Sequence, residues 1–511
     1  MALKPAGKAI IFALVIGGLA GGYLKFKDQI LPKGKEAGSV AGMMSGGTTA
    51  LSEGQCIKVG VNTWGGFVGL QYMNGGAKPS ADSRLQKEFG VCAEFIVLDD
   101  INPSRETWKA GKVDLLWGTI DAFPTEVAGL EAQKPIALLQ VDWSRGGDAI
   151  VVRKGINSAA DLKGKTIAVA DMSPSMTFLL WMLDAAGLSL SDVQLSLVGS
   201  GIDAAAQFKA GKVDAAVVWS PDDQDCITNQ KGSKVLTNTK QATNIIADVM
   251  YVKKEFLDNN RDKLTKLVQA WMVGNAEMNT NAASRAAAAK IMAGIYNQPE
   301  DFCNIAVNNV RFANYGDNMD FFGSSVGFLG IKGEDLYNKM AGVYKTLGKA
   351  DGKIPNWRVI TDVSFMEGVN MSGKPGQESE HAATFVAPTQ EQKVAPAIAS
   401  KPVTINFASG SSVLDENAKY IVDDKLVDLA KAFPTCRIRL EGNTDAVGSH
   451  ATNVYLSRSR AQALASYLIK EHGFDSNRFV VVGNGPDKPL CSDASPECNS
   501  KNRRTEFQIL E

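Results

Sequence analysis

In the stretch DMSPSMTFLLWMLDAAG, Ser173, Ser175 and Thr177 open a run with helical apolar spacing. Backbone N–H groups left free at a helix start, together with the helix dipole, attract an anion or the negative end of a polar group, and the hydroxyls add donors. A serine in that place can equally do no more than cap the helix. Three further groups follow strand-like runs: Trp64 and Gly65 after IKVGVNT, Thr119 and Asp121 after VDLLWG, Trp219 and Asp222 after VDAAVV. In parallel α/β sheets, ligands sit beyond the carboxyl ends of the strands, so these positions form one candidate set for a bound solute. The carboxylates of Asp121 and Asp222 oppose a purely anionic ligand and favour an amine, a zwitterion or a neutral polar molecule. On the other reading both are solvated loop charges and both tryptophans are core.

Other chemistry is poorly represented. The three histidines, His381, His450 and His472, do not pair at metal-ligand spacing, and neither C-x-x-C nor H-E-x-x-H occurs. No nucleophile is placed beside a base, so the expectation is a protein that binds and is not an enzyme, without metal or cofactor. The formal net charge of −1 implies no nucleic-acid partner.

A length of 511 residues calls for two or three domains. Residues 1–30 hold an apolar run, Ala9 to Leu24, between Lys4/Lys8 and Lys25/Lys27. Lysine stems snorkel and let a run somewhat below the usual ~20 residues cross a bilayer. The expectation is an inner-membrane anchor, with a cleaved signal peptide and a soluble periplasmic product as the alternative. Overlapping pairs Gly17/Gly21 and Gly18/Gly22 would let such a helix associate with others. Residues 31–54, rich in Gly, Ser and Lys, read as a flexible tether.

From residue 55 to 372, short β-rich runs alternate with amphipathic helix patterns, which implies parallel sheets covered by helices. AGKVD occurs twice, at Ala110–Asp114 and Ala210–Asp214, each time between a helix pattern and a buried strand. Two lobes built alike would each use this unit once. The stretches IKVGVNTWGGFVGL, DLKGKTIAVADMSPSMTFLLWMLDAAGLSLSDVQL and FKAGKVDAAVVWSPD resemble the periplasmic solute-binding proteins of the nitrate, sulfonate, taurine and thiamine-precursor class. That resemblance implies an α/β fold of two hinged lobes closing on a small ligand.

Residues 373–402, with Pro375, Pro388, Pro396 and Pro402, read as a linker. Residues 403–511 form a smaller α/β unit, in which EGNTDAVGSHATNVYLSRSRAQALASYL and KNRRTEFQI resemble the OmpA-like peptidoglycan-binding domain. Asn443 departs from the histidine common there. The resemblance implies a pocket for the stem peptide, whose zwitterionic side chain needs one fixed anion and one fixed cation: Asp445 and Arg460, with Asn453, Leu456 and Phe407 beside them and Arg503 or Arg504 at the border.

Seven cysteines suit an oxidising compartment. Cys56 and Cys92 begin two strand-like runs and would meet if those strands pair in parallel. Cys491 and Cys498 bracket a loop like one closed by a disulfide in some OmpA-like members. Cys226 and Cys303 are the next candidates, and Cys436 is left over.

Together these readings lead to a cell-envelope protein tethered between inner membrane and peptidoglycan, whose middle domain captures or senses a small polar solute. One alternative is a wall-anchored scaffold, in which the middle domain docks subunits of a membrane complex. Another is the solute receptor of an ABC transporter.

Overall fold

A computed structural model describes residues 56–350, 353–405, 407–408, 410–493 and 495–510. The expected N-terminal anchor or signal and the tether lie outside the described residues. Among the described residues, no helix is long and apolar enough to cross a membrane.

The repeated phrase does the same local work twice. The helix Ile101–Lys109 ends with Ala110 N–H on Glu106 O and Lys112 N–H on Thr107 O. The helix Gly201–Lys209 ends with Ala210 N–H on Ala206 O and Lys212 N–H on Gln207 O. Each wrap passes through a left-handed glycine, Gly111 at φ 71° and Gly211 at φ 77°, a conformation that a Cβ disfavours. The aspartate of each copy then turns back to the neighbouring parallel strand. Asp114 Oδ2 accepts from Lys58 N–H at 2.8 Å, and Asp214 Oδ2 accepts from Thr166 N–H at 2.9 Å.

Two sheets follow from these units. The first contains β1 (Ile57–Val61), β2 (Ala93–Val97), β3 (Leu115–Thr119), β4 (Pro135–Ser144), β10 (Ala247–Lys253) and β11 (Val310–Phe312), in the order β11-β4-β10-β3-β1-β2. The second contains β5 (Asp148–Val152), β6 (Thr166–Ala170), β7 (Gln194–Val198), β8 (Ala215–Trp219) and β9 (Lys234–Asn238), in the order β7-β6-β8-β5-β9. Strands β3, β4 and β5 are buried along their whole length, as expected for sheets covered on both faces. The chain passes between the sheets twice, through residues 145–147 and 239–246. Thr239 ties the two crossings together: its Oγ1 accepts from Gly146 N–H at 2.7 Å and lies 3.2 Å from Ser144 Oγ. This is a mixed α/β arrangement of two lobes with a double crossing between them.

The third sheet is β12 (Ala397–Val403), β13 (Arg437–Asn443), β14 (Phe479–Gly485) and β15 (Thr505–Leu510), in the order β12-β15-β13-β14. The long helix His450–His472 packs on β13 and β14. Strand β12 begins inside the stretch read as a linker. Part of the remainder of that stretch is also held: Gln377 Nε2 donates to Met272 O at 3.0 Å, and Arg145 Nη1 donates to Glu380 at 2.7 Å. Its composition carries no period, but its polar side chains find partners far away in sequence.

Cys56 and Cys92 are bridged, because β1 and β2 run parallel with Ile57 opposite Ala93 and so bring the preceding residues together. Cys491 and Cys498 are also bridged. The pairing of Cys226 with Cys303 is not formed: both are free and buried. Cys226 lies in the helix Asp222–Asn229 against the second sheet, whereas Cys303 lies in the helix Glu300–Asn308 near the first. Cys436 is buried, and its Sγ lies 3.9 Å from Gln241 O.

Candidate functional site

The residues that follow the strands of the two lobes converge around the crossings. Trp64 Nε1 donates to Asp142 Oδ2 at 3.2 Å. Its ring stands over Gly147, and Gly66 leaves room for the Asp142 carboxylate; a Cβ on Gly66 would meet Asp142 Oδ2 at 1.6 Å. On the other lobe, Ser175 Oγ donates to Asp148 Oδ1 at 2.7 Å and accepts from Trp219 Nε1 at 2.8 Å. Thr177 Oγ1 lies 2.8 Å from Tyr344 OH.

Asp121 is fully buried, so the reading of it as a solvated loop charge is corrected. Its Oδ1 accepts from Ala247 N–H at 3.4 Å, and the Thr119 and Thr177 hydroxyls stand beside the carboxyl. Gly65 is buried against the Ala306 carbonyl. Two of the expected residues do other work. Ser173 caps the helix Pro174–Ala185, accepting from Met176 N–H at 3.4 Å and donating to Ala170 O at 2.8 Å. Asp222 is half-buried in the first turn of the helix Asp222–Asn229 and, among the described residues, forms no hydrogen bond with the group around Asp121.

Three carboxylates here were missed: Asp142, Asp148 and Asp248. Asp248 on β10 stands directly opposite Asp142 on β4 and Thr119 on β3, so the three side chains share one face of the sheet. Burial pushes the Asp121 and Asp142 carboxyls up to about 7 and Asp148 up to about 6. Asp248 is raised well above the usual range, by burial first and then by repulsion from Asp142, Asp121 and Asp148. A sequence signal was available. Each of the three interrupts or opens an otherwise apolar strand, in LLQVDWS, GGDAIVV and ADVMYV.

The second candidate site lies in the C-terminal sheet. Beyond β13, the Asp445 carboxylate accepts from Arg503 Nη1 at 2.7 Å and from Val447 N–H at 3.1 Å. Asn453 holds the same turn through its Nδ2, which donates to Val447 O at 3.0 Å and Asp445 O at 3.3 Å. Arg460 does not touch Asp445. Its guanidinium stacks 4.9 Å from the Phe407 ring centroid, and its Nε donates to Ser411 O at 3.0 Å. Burial and the nearby Arg503 lower the Arg460 pKa, while Asp445 raises it, so all three charges act within one locality. A pocket of about 90 Å³ is lined by Phe407, Asn443, Ser457, Arg460, Arg503 and Thr505, among others. Leu456 is half-buried one helical turn before Arg460. Arg504 is buried and paired with Glu506 at 2.5 Å.

Residues 88–282 match the family model described as NMT1/THI5 like, and residues 406–503 match that of the OmpA family. Over 105 residues the chain is 34% identical to outer membrane porin F of Pseudomonas aeruginosa, covering 20% of this chain and 30% of the porin. Over 92 residues it is 37% identical to the peptidoglycan-binding protein ArfA of Mycobacterium tuberculosis, covering 18% of this chain and 28% of that protein. The chain thus spans less than a third of the length of either relative. Among solved structures, the aliphatic sulphonate binding protein SsuA of Escherichia coli aligns with a TM-score of 0.47 at 17% identity, over 66% of this chain and 98% of that one. The nitrate-binding protein NrtA of Synechocystis aligns with a TM-score of 0.49 at 11% identity, over 63% and 90%.

Proposed function

We propose that this chain, which joins an NMT1/THI5-like domain to a C-terminal OmpA-family domain, is a cell-envelope protein that grips peptidoglycan at its C-terminus and holds a small polar solute between the lobes of its middle domain. The observation that carries the reading is the grouping of Asp445 beyond β13, Arg460 on the facing helix and Arg503 just before β15. A wall peptide with a zwitterionic side chain needs one fixed anion and one fixed cation within reach of each other, and a guanidinium fork suits its carboxylate. Arg503 satisfies Asp445 while the pocket is empty. An incoming ammonium would take its place on Asp445 and leave a guanidinium for the carboxylate. The match to the OmpA family over residues 406–503 supports the same assignment.

The solute reading is supported by the double crossing between the lobes and by the polar side chains gathered there. The apolar run at the N-terminus, flanked by lysines, supports an inner-membrane anchor. Held at both ends, the middle domain would stay at high local concentration between membrane and wall. A wall-bound receptor cannot diffuse to a permease, so sensing or local capture suits this arrangement better than bulk uptake.

The test is retention of the full chain on purified sacculi. The native protein is expected to sediment with the sacculi, and the Asp445→Ala/Arg460→Ala double variant to remain in solution. Equal retention of the two would overturn the wall assignment.

A further inference from the structure

Taking as premise that the middle domain holds a solute between its lobes, we propose that the solute carries an ammonium group, received by the buried carboxylates Asp121, Asp142, Asp148 and Asp248. The acidic cluster is not the only sign. Asp121 and Asp142 are fully buried, and among the described residues Asp121 Oδ2 and Asp142 Oδ1 accept no well-formed hydrogen bond, although the Thr119 and Thr177 hydroxyls stand beside Asp121. A buried acceptor without a well-placed donor is costly, and both lie in one small region of the sheet face. Among the described residues, no lysine, arginine or histidine forms an ion pair with any of the four carboxylates. The charges that act most strongly on Asp248 are those of Asp142, Asp121 and Asp148, all negative.

What is lacking is therefore a positively charged donor. An ammonium is three donors and no acceptor, which suits a site whose carboxyl oxygens outnumber the donors supplied by the Trp64 and Trp219 indoles and the Ser175, Thr119 and Thr177 hydroxyls. A nitrate or sulfonate brings only acceptors and negative charge, and would be repelled. A bare metal ion fits less well: no three of these carboxylates bring an oxygen within 4.8 Å of one another. That spacing suits a larger cation with donors pointing in several directions. The indole rings of Trp64, beyond β1 of the first lobe, and Trp219, at the end of β8 of the second, are each tied by their N–H to the polar group and can face the positive charge. Each lobe contributes carboxylates, Asp121, Asp142 and Asp248 from the first and Asp148 from the second. A cation between them would draw the lobes together.

The experiment is calorimetry and heat-shift measurement on the full chain. The amines putrescine and ethanolamine are each compared with the uncharged counterpart butanediol or ethylene glycol, and with the anions nitrate and ethanesulfonate. At least one amine is expected to bind about tenfold or more tightly than its uncharged counterpart, the margin set by hydrogen bonds to charged groups. Asp248→Asn and Asp121→Asn, each nearly isosteric, are expected to remove that preference. Thr119→Val removes only a hydroxyl and serves where an aspartate variant fails to fold; it is expected to weaken the amine severalfold. Binding of an anion or an uncharged solute in preference to every amine would overturn the ammonium assignment and keep the solute-binding reading. Binding of nothing in any class would overturn both.

Discussion

Lys401 on β12 donates from Nζ to Asp184 Oδ1 at 2.7 Å, and Asp184 lies near the end of the helix whose first turn carries Ser175. One helix thus runs from the carboxylate cluster of the middle domain to the first strand of the C-terminal sheet. The Lys401 side chain is 11% exposed and that of Asp184 42%. Asp184 keeps much of its hydration, so the pair itself contributes little. In a double-mutant cycle of Lys401→Met with Asp184→Asn, read by urea denaturation, the coupling is expected below about 1 kcal/mol. Lys401→Ala is expected to cost more than Lys401→Met, because it also loses the packed stem. A coupling several times larger would mean that this contact holds the two domains together.

The equivalence of Asp114 and Asp214 gives matched expectations. Each carboxylate accepts one backbone N–H from the adjacent parallel strand, at 2.8 and 2.9 Å. Asp114→Ala and Asp214→Ala should therefore each lose about 1–3 kcal/mol of stability, with similar values for the two. Denaturant titration checks this. A large cost at one and none at the other would show that the repeated phrase is coincidence.

The buried carboxylates set a pH dependence. Asp121 and Asp142 hold their protons up to about 7 when folded, against 3.8 when unfolded. Between those values the native state binds more protons than the unfolded state, so the ligand-free protein loses stability as pH rises through the window. Each carboxyl contributes up to about 1.4 kcal/mol per pH unit there. Below the window both states are protonated and this contribution is fully present; above about pH 7 it is gone. The melting temperature is expected to fall between pH 5 and pH 7, less steeply in Asp248→Asn. A melting temperature that rises across the same range would contradict the assignment.

The two disulfides should differ in worth. The Cys56–Cys92 bridge closes a loop with a sequence separation of 36, and Cys491–Cys498 one with a separation of 7. By loop-closure entropy, Cys56→Ser with Cys92→Ser should cost about 4 kcal/mol, and Cys491→Ser with Cys498→Ser about 2 kcal/mol. Chemical denaturation of the two double variants under oxidising conditions measures the difference. The reverse order would place the stabilisation in local packing at the shorter loop.

Much of the fold was legible because it is written locally. The helix ends at Gly111 and Gly211, the strands that follow them and the helix opening at Pro174 depend on residues a few positions apart. The Cys56–Cys92 bridge followed from parallel pairing of two recognisable strands. Strand β12 was not legible: AIASKPV lies in a Pro-, Gln- and Ser-rich stretch, and it is a strand because β15, more than a hundred residues later, pairs with it.

The same division runs through the sites. By itself the sequence determined which chemistries are present: the turn and helix that carry Asp445 and Arg460, the hydroxyls at the start of a helix, and the scarcity of histidine. Tertiary structure alone decided who meets whom. Asp248 faces Asp142 and Thr119 through antiparallel pairing of segments about a hundred residues apart, and Asp445 contacts Arg503 while Arg460 lies over Phe407. Local spacing cannot contain such pairings, because strand register and the burial that shifts a carboxyl's proton affinity arise only when distant segments pack.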